Sequence, residues 1–114
     1  MLRLLYHPNV IWCYDLFIDN SKQFIHIVLE FADGGDLKNY INKNYPFEED
    51  EIVDLFWQAC EGLNYLHSNN IIHRDIKCEN ILMFKDGWCV ITDLGLSKYI
   101  EYSSQTCKTY CGTP

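Results

Sequence analysis

Residues 73–95 read HRDIKCENILMFKDGWCVITDLG. Ile81-Leu82-Met83-Phe84 and Trp88-Cys89-Val90-Ile91 flank Lys85-Asp86-Gly87. Asp-Gly between two apolar runs is the strongest short hairpin signal, because both residues tolerate the backbone angles of a tight turn. A charged loop, His73 to Asn80, therefore feeds a hairpin whose far strand runs straight into Thr92-Asp93-Leu94-Gly95. Asp75 and Asp93 stand 18 residues apart, the length a short hairpin needs to carry the second carboxylate back beside the first.

Upstream of this loop, Ile52, Leu55, Phe56, Ala59, Cys60, Leu63 and Leu66 recur at helical spacing, predicting a helix from Glu48 to about Ser68. Its start carries Glu48, Glu49, Asp50 and Glu51, which complement the positive end of the helix dipole and read as a solvated face. Asn69-Asn70 ends it. Asp36 is placed to cap a short helix through about Lys43, and Phe31-Ala32-Asp33-Gly34-Gly35 before it reads as a flexible joint. Val10 to Ile18 and Gln23 to Glu30 are rich in β-branched and aromatic residues and flank the turn chemistry of Asp19-Asn20-Ser21-Lys22, predicting a first hairpin. The opening Leu2-Arg3-Leu4-Leu5-Tyr6 reads as the last turns of a helix broken by His7-Pro8-Asn9.

With 114 residues, 48% hydrophobic and 22% charged, the chain has the composition of one small globular domain. A net charge of −7 disfavours nucleic acid and anionic lipid partners. The N-terminus shows no signal-peptide pattern and no apolar run reaches bilayer length, so the expected location is the cytoplasm or nucleus. Six cysteines, at 13, 60, 78, 89, 107 and 111, form no C-x-x-C pair and are expected to be reduced thiols.

The loop and the turn together resemble the H-R-D-x-K-x-x-N catalytic loop and the D-F-G metal-binding turn of eukaryotic protein kinases. The resemblance extends in family order over nearly the whole chain. His7-Pro8-Asn9-Val10 resembles the family's helix-to-strand junction and Leu29 to Leu37 its lobe-linking hinge. Gly62-Leu63 and Leu66-His67 resemble the end of its long helix, and Cys111-Gly112-Thr113-Pro114 its substrate-docking loop. It implies an α+β, two-lobe kinase fold, with residues 1–29 ending the N-lobe, 30–35 forming the hinge and 36–114 beginning the C-lobe through the activation loop.

What the resemblance implies chemically is ATP-dependent phosphoryl transfer to protein Ser or Thr hydroxyls, with Mg²⁺ as cofactor. Asp75 would be the base or orienter of the acceptor hydroxyl, Lys77 would meet the γ-phosphate, and Asn80 and Asp93 would offer hard oxygen ligands to the ion. Thr113 would reach the catalytic Asp and shape the acceptor pocket. Glu30 and Ala32 would present backbone groups to adenine, Leu29 would sit at the rear of that pocket, Leu82 at its floor and Asp36 beside the ribose. His73 is expected to pack and hydrogen-bond around the metal-binding turn rather than move protons. Lys77 and Gly112-Thr113 point to serine/threonine specificity.

Arg74 beside Asp75 marks kinases switched by activation-loop phosphorylation, with Thr109 as the best candidate phosphosite against Ser103, Ser104 and Thr106, Lys98 as a second cation, and an upstream activating kinase as partner. Leu94 stands where the family usually has Phe, and Cys78 where Pro is common; both are compatible with catalysis. The hinge and Leu94 lean to NIMA-related kinases, while the catalytic loop is also close to the calmodulin-dependent type. The family's glycine-rich loop, strand Lys and helix Glu do not occur in the sequence, nor does its A-P-E segment. The 114 residues by themselves are therefore expected to have little or no activity, and to aggregate or fold only loosely because the stripe through Leu55, Phe56, Ala59 and Leu63 would face water. Alternative readings are a pseudokinase or regulatory scaffold, or an inactive truncated gene product.

Overall fold

The computed structural model describes residues 5–21, 23–94 and the backbone of residues 98–99. Strands β1 (Cys13–Ile18) and β2 (Ile25–Leu29) pair antiparallel, in register from Cys13 opposite Leu29 to Ile18 opposite Ile25. Asp19 closes this hairpin: its N–H donates to the Phe24 carbonyl at 3.1 Å, and its Oδ1 accepts from the Gln23 N–H at 3.2 Å. The ribbon is shorter than its sequence suggests. Val10 leaves it to bridge Ile91, and the Ile11 N–H donates to the Ile91 carbonyl at 2.9 Å.

Helix α1 (Leu37–Asn44) begins on the expected cap, with Asp36 Oδ1 accepting from the Asn39 N–H at 2.8 Å. Helix α2 (Glu49–Ser68) has Glu49, Asp50 and Glu51 in its first turn. The Tyr40 hydroxyl ties the two helices by donating to Glu51 Oε1 at 2.6 Å, and the carboxylate that accepts this hydrogen raises the Tyr40 pKa above its ordinary value. The α2 chain ends at Asn69, and Asn70 takes the left-handed conformation, at φ 62°, that asparagine tolerates better than most residues.

Strands β4 (Ile81–Met83) and β5 (Cys89–Ile91) form the second expected hairpin, with Gly87 at φ 92° in its turn. A further pairing joins β3 (Ile71–Ile72) to β6 (Lys98–Tyr99), for which the sequence shows no strand signal. Leu5 and Tyr6 are not helical, so the described part of the opening segment differs from its reading as a helix end. The proline at position 8 ends any helical continuation, and the chain instead makes a turn in which the Val10 N–H donates to the His7 carbonyl.

Two apolar clusters carry the core. One joins Leu5, Val10, Leu66, Ile71, Ile91 and Leu94, and the other Ile81, Met83 and Cys89 under Leu37, Leu55 and Ala59. Leu94 is thus packed inward, as its apolar character requires. Burial, helped by the Asp54 carboxylate, pushes the Cys89 thiol up to about 11. Helix α2 crosses the first cluster at Gly62, where a Cβ would lie 2.5 Å from the Asn9 carbonyl oxygen. Only a residue without a side chain allows that approach. On its other side α2 leaves Phe56 71% and Trp57 65% exposed, with Leu55, Ala59 and Leu63 half-buried. No helix among the described residues is long and apolar enough to cross a membrane.

The segment that reads as a flexible joint is pinned from Asp33 onward. Gly34 N–H donates to the Met83 carbonyl and Met83 N–H to the Gly35 carbonyl, both at 2.7 Å, while Asp33 Oδ1 accepts from the Lys85 N–H at 2.9 Å. Glycine is needed here for contact and for turning, not for freedom.

Candidate active site

Strand β3 delivers His73 into the interior, where the ring is 1% exposed. The next residue, Arg74, is held at φ 72°, a conformation that costs a non-glycine residue roughly 1–2 kcal/mol. The turn this permits brings the Asp75 N–H to His73 Nδ1 at 3.1 Å. With Nδ1 accepting, the ring hydrogen sits on Nε2, which donates to the Thr92 carbonyl at 2.7 Å. His73 therefore bridges the charged loop to the residue before Asp93.

One 3-10 turn, Cys78–Asn80, brings a second bridge. Asn80 is 7% exposed, and its Nδ2 donates both to the Asp75 carbonyl at 3.0 Å and to Asp75 Oδ2 at 3.2 Å. Lys77 Nζ lies 3.5 Å from the same Oδ2. The Asn80 carbonyl accepts from the Thr92 N–H at 2.9 Å. Thr92 is consequently held from both sides, by Asn80 at its nitrogen and His73 at its oxygen. Asp93 follows at φ 60° with its side chain exposed. Asp75, Lys77 and Asn80 meet directly, and Asp93 is one residue from the clamp that joins its turn to them.

The residues expected around a nucleotide line the junction of hinge and hairpin. Leu29 ends β2 opposite Cys13, and the Glu30 N–H donates to the Trp12 carbonyl at 2.9 Å while its Oε1 accepts from the Trp12 N–H at 2.9 Å. Ala32 is 9% exposed. Asp36 and Leu82 form an antiparallel bridge, so the α1 cap and the middle of β4 are neighbours. Both Asp36 oxygens accept from Asn39, at 2.8 and 3.4 Å, which leaves lone pairs on each. The backbone of Lys98 pairs with Ile72; its side chain, Thr109 and Thr113 lie outside the described residues.

Two polar residues behind the site carry no sequence signal of their own except their type. Asn9 and Gln58, each 5% exposed, lie among apolar neighbours and hold the start of β5. A polar residue inside the buried stripe of α2 is the mark by which Gln58 can be found, since an unpaired amide there would be costly.

The sequence model of the protein kinase domain matches residues 1–114. Among curated relatives, the serine/threonine-protein kinase PLK4 of Drosophila virilis is 40% identical over 112 residues, 96% of this chain and 14% of its own length. The serine/threonine-protein kinase cds1 of Schizosaccharomyces pombe is 38% identical over 113 residues, 99% of this chain and 24% of its own. For the serine/threonine-protein kinase Nek1 of Mus musculus the figures are 36% over 116 residues, 100% of this chain and 10% of its own length. The chain thus spans no more than a quarter of these relatives. An Asp-Asn pair locked to the turn before a second Asp, the hinge strapped to the same hairpin, and a family match over all 114 residues lead to one conclusion: the chain belongs to the protein kinase domain family.

Proposed function

We propose that this chain is part of a serine/threonine protein kinase catalytic domain, which transfers the γ-phosphate of ATP to Ser or Thr hydroxyls of protein substrates. The observation that supports the reading most is the hydrogen-bonded unit of Asp75, Asn80 and Thr92 just before Asp93. Residues 1–29, 30–35 and 36–114 correspond in this reading to the end of the N-lobe, the hinge and the start of the C-lobe. Glu30 and Ala32 offer backbone groups to adenine beside Leu29, over Leu82, and Asp36 borders the ribose.

Phosphoryl transfer asks the protein for alignment and charge compensation more than for covalent chemistry. Asp75 accepts the proton of the acceptor hydroxyl as its oxygen bonds to the γ-phosphorus, while the bond to the leaving ADP oxygen breaks. Lys77 places its ammonium where the transferred group passes, and Thr113 frames the acceptor. The donor set fits Mg²⁺: Asn80 spends its amide nitrogen on Asp75, which turns its amide oxygen elsewhere, and Asp93 adds an exposed carboxylate. When bound, the ion offsets charge on the phosphate oxygens. Arg74, with Lys98, pairs with a phosphate on Thr109 to order the activation loop.

The test is transfer of labelled γ-phosphate from ATP to a mixed protein substrate by the full-length protein, followed by phosphoamino-acid analysis. Phosphoserine and phosphothreonine are expected, with a lower rate for Thr109→Ala. No transfer, or phosphotyrosine alone, defeats the reading; an unchanged rate in Thr109→Ala removes the regulatory assignment.

A further inference from the structure

The carboxamide of Gln58 is engaged on every side. Its Oε1 accepts from the Cys89 N–H at 2.8 Å and from Asn9 Nδ2 at 3.3 Å. Its Nε2 donates to Asp54 Oδ2 at 2.9 Å and to the Gly87 carbonyl at 3.3 Å. Asn9 Nδ2 also donates to the Cys89 carbonyl at 2.9 Å, so the two amides hold both backbone groups of Cys89. Two donors must face the oxygen of Gln58 and two acceptors its nitrogen, which sets the orientation of the amide without ambiguity. No other side chain of this length presents both functions, and a carboxylate would meet Asp54 as a like charge.

This clamp acts on the first residue of β5, four residues before Asp93. Strand β5 is the rod that carries Asp93 to the charged loop. Its partner β4 sets one edge, and the Asn9 carbonyl accepts from the Ile91 N–H at 2.8 Å on the other. A strand that slips by one residue turns every side chain to the opposite face, and a two-stranded ribbon with three residues per strand resists such slippage weakly by itself. Gln58 ties the strand to α2, which is fixed against the same segment by the close approach at Gly62. Resting on the phosphoryl-transfer reading above, we propose that Gln58 is a positioning residue for the metal site: it fixes the register of β5 on α2, and thereby where the Asp93 carboxylate stands relative to Asn80 and Asp75.

The experiment compares the full-length protein with Gln58→Met, which keeps the length of the side chain and removes all its hydrogen bonds. Two quantities are read, the free Mg²⁺ that gives half the maximal transfer rate and the affinity for adenosine in the absence of metal. Outer-shell partners commonly change metal affinity 10–100-fold, so the Mg²⁺ midpoint is expected to rise by about ten-fold. Adenosine affinity, which depends on the hinge, is expected to stay within about two-fold of the parent. An unchanged Mg²⁺ midpoint overturns the proposal, as does a loss of adenosine binding in step with the metal, which marks a general loss of structure. If Gln58→Met does not fold, Gln58→Lys, which keeps a donor towards Asp54 and the Gly87 carbonyl and removes the acceptor for the Cys89 N–H, must move the midpoint the same way, and no movement overturns the proposal. A parent protein with no Mg²⁺-dependent transfer defeats the phosphoryl-transfer reading and this role together, whereas an active parent with an unmoved variant defeats this role alone.

Discussion

Asp75→Asn in the full-length protein is expected to lower kcat by about 10²–10⁴-fold, the usual contribution of a general base, with the melting temperature changed by only a few degrees. The substitution keeps the shape of the side chain and every backbone interaction of the loop. Asn80 Nδ2 still reaches the carbonyl of residue 75, now 3.0 Å away, and the His73 bridge uses the backbone N–H of the same residue. The ion pair with Lys77, at 3.5 Å, is lost; the lysine is 28% exposed, and a partly solvated pair contributes on the order of 1 kcal/mol or less. The carboxamide retains an oxygen that can orient a hydroxyl but cannot take its proton at neutral pH. Binding of ATP should change little, since the hinge and β4 are untouched. Rates and thermal melts measured side by side decide the matter: a rate within about ten-fold of the parent denies Asp75 the role of base, and a melt that collapses with the rate assigns the loss to unfolding instead.

The same loop shows what a sequence can and cannot disclose. Asp86-Gly87 and the spacing of Asp75 and Asp93 are local signals, and the hairpin they imply does bring Thr92 against Asn80. The long helix was legible from its period, and Asp36 as a cap from its residue type, because in both cases the cause lies within one turn of the chain. Strands β3 and β6 were not legible: two residues each, Ile71–Ile72 and Lys98–Tyr99, are too few to show alternation, and their pairing depends on tertiary approach. That His73 packs and hydrogen-bonds around the turn was anticipated from the resemblance, but which atoms it bridges was not. Its tautomer and its two partners follow from the positive φ of Arg74, for which the residue type gives no hint. Gln58 is marked in sequence only as a polar residue in an apolar stripe, and what it holds was not legible for a different reason. Its four partners come from Asn9, Asp54, Gly87 and Cys89, and three of those four lie far along the chain.

Gly34 and Gly35 look alike in sequence and should behave differently on substitution. A Cβ on Gly34 would stand 2.6 Å from the Met83 carbonyl oxygen and 2.9 Å from its carbon, atoms of a strand whose Met83 is 0% exposed. Neither side can yield without breaking the Gly34-to-Met83 and Met83-to-Gly35 hydrogen bonds, each 2.7 Å long. Overpacking costs about 1–3 kcal/mol and each lost bond about 1 kcal/mol, so Gly34→Ala is expected to destabilise by roughly 3–5 kcal/mol. At Gly35 a Cβ meets nothing within 4 Å, and only the backbone at φ 72° objects, so Gly35→Ala should cost about 1–2 kcal/mol. Urea melts of the two variants in the full-length protein provide the comparison. Equal losses, or a larger one for Gly35→Ala, would show that the hinge yields where its backbone lies against β4. A hinge free to move would accommodate the methyl group at little cost; one strapped to the hairpin that carries Asp93 has to move the hairpin with it.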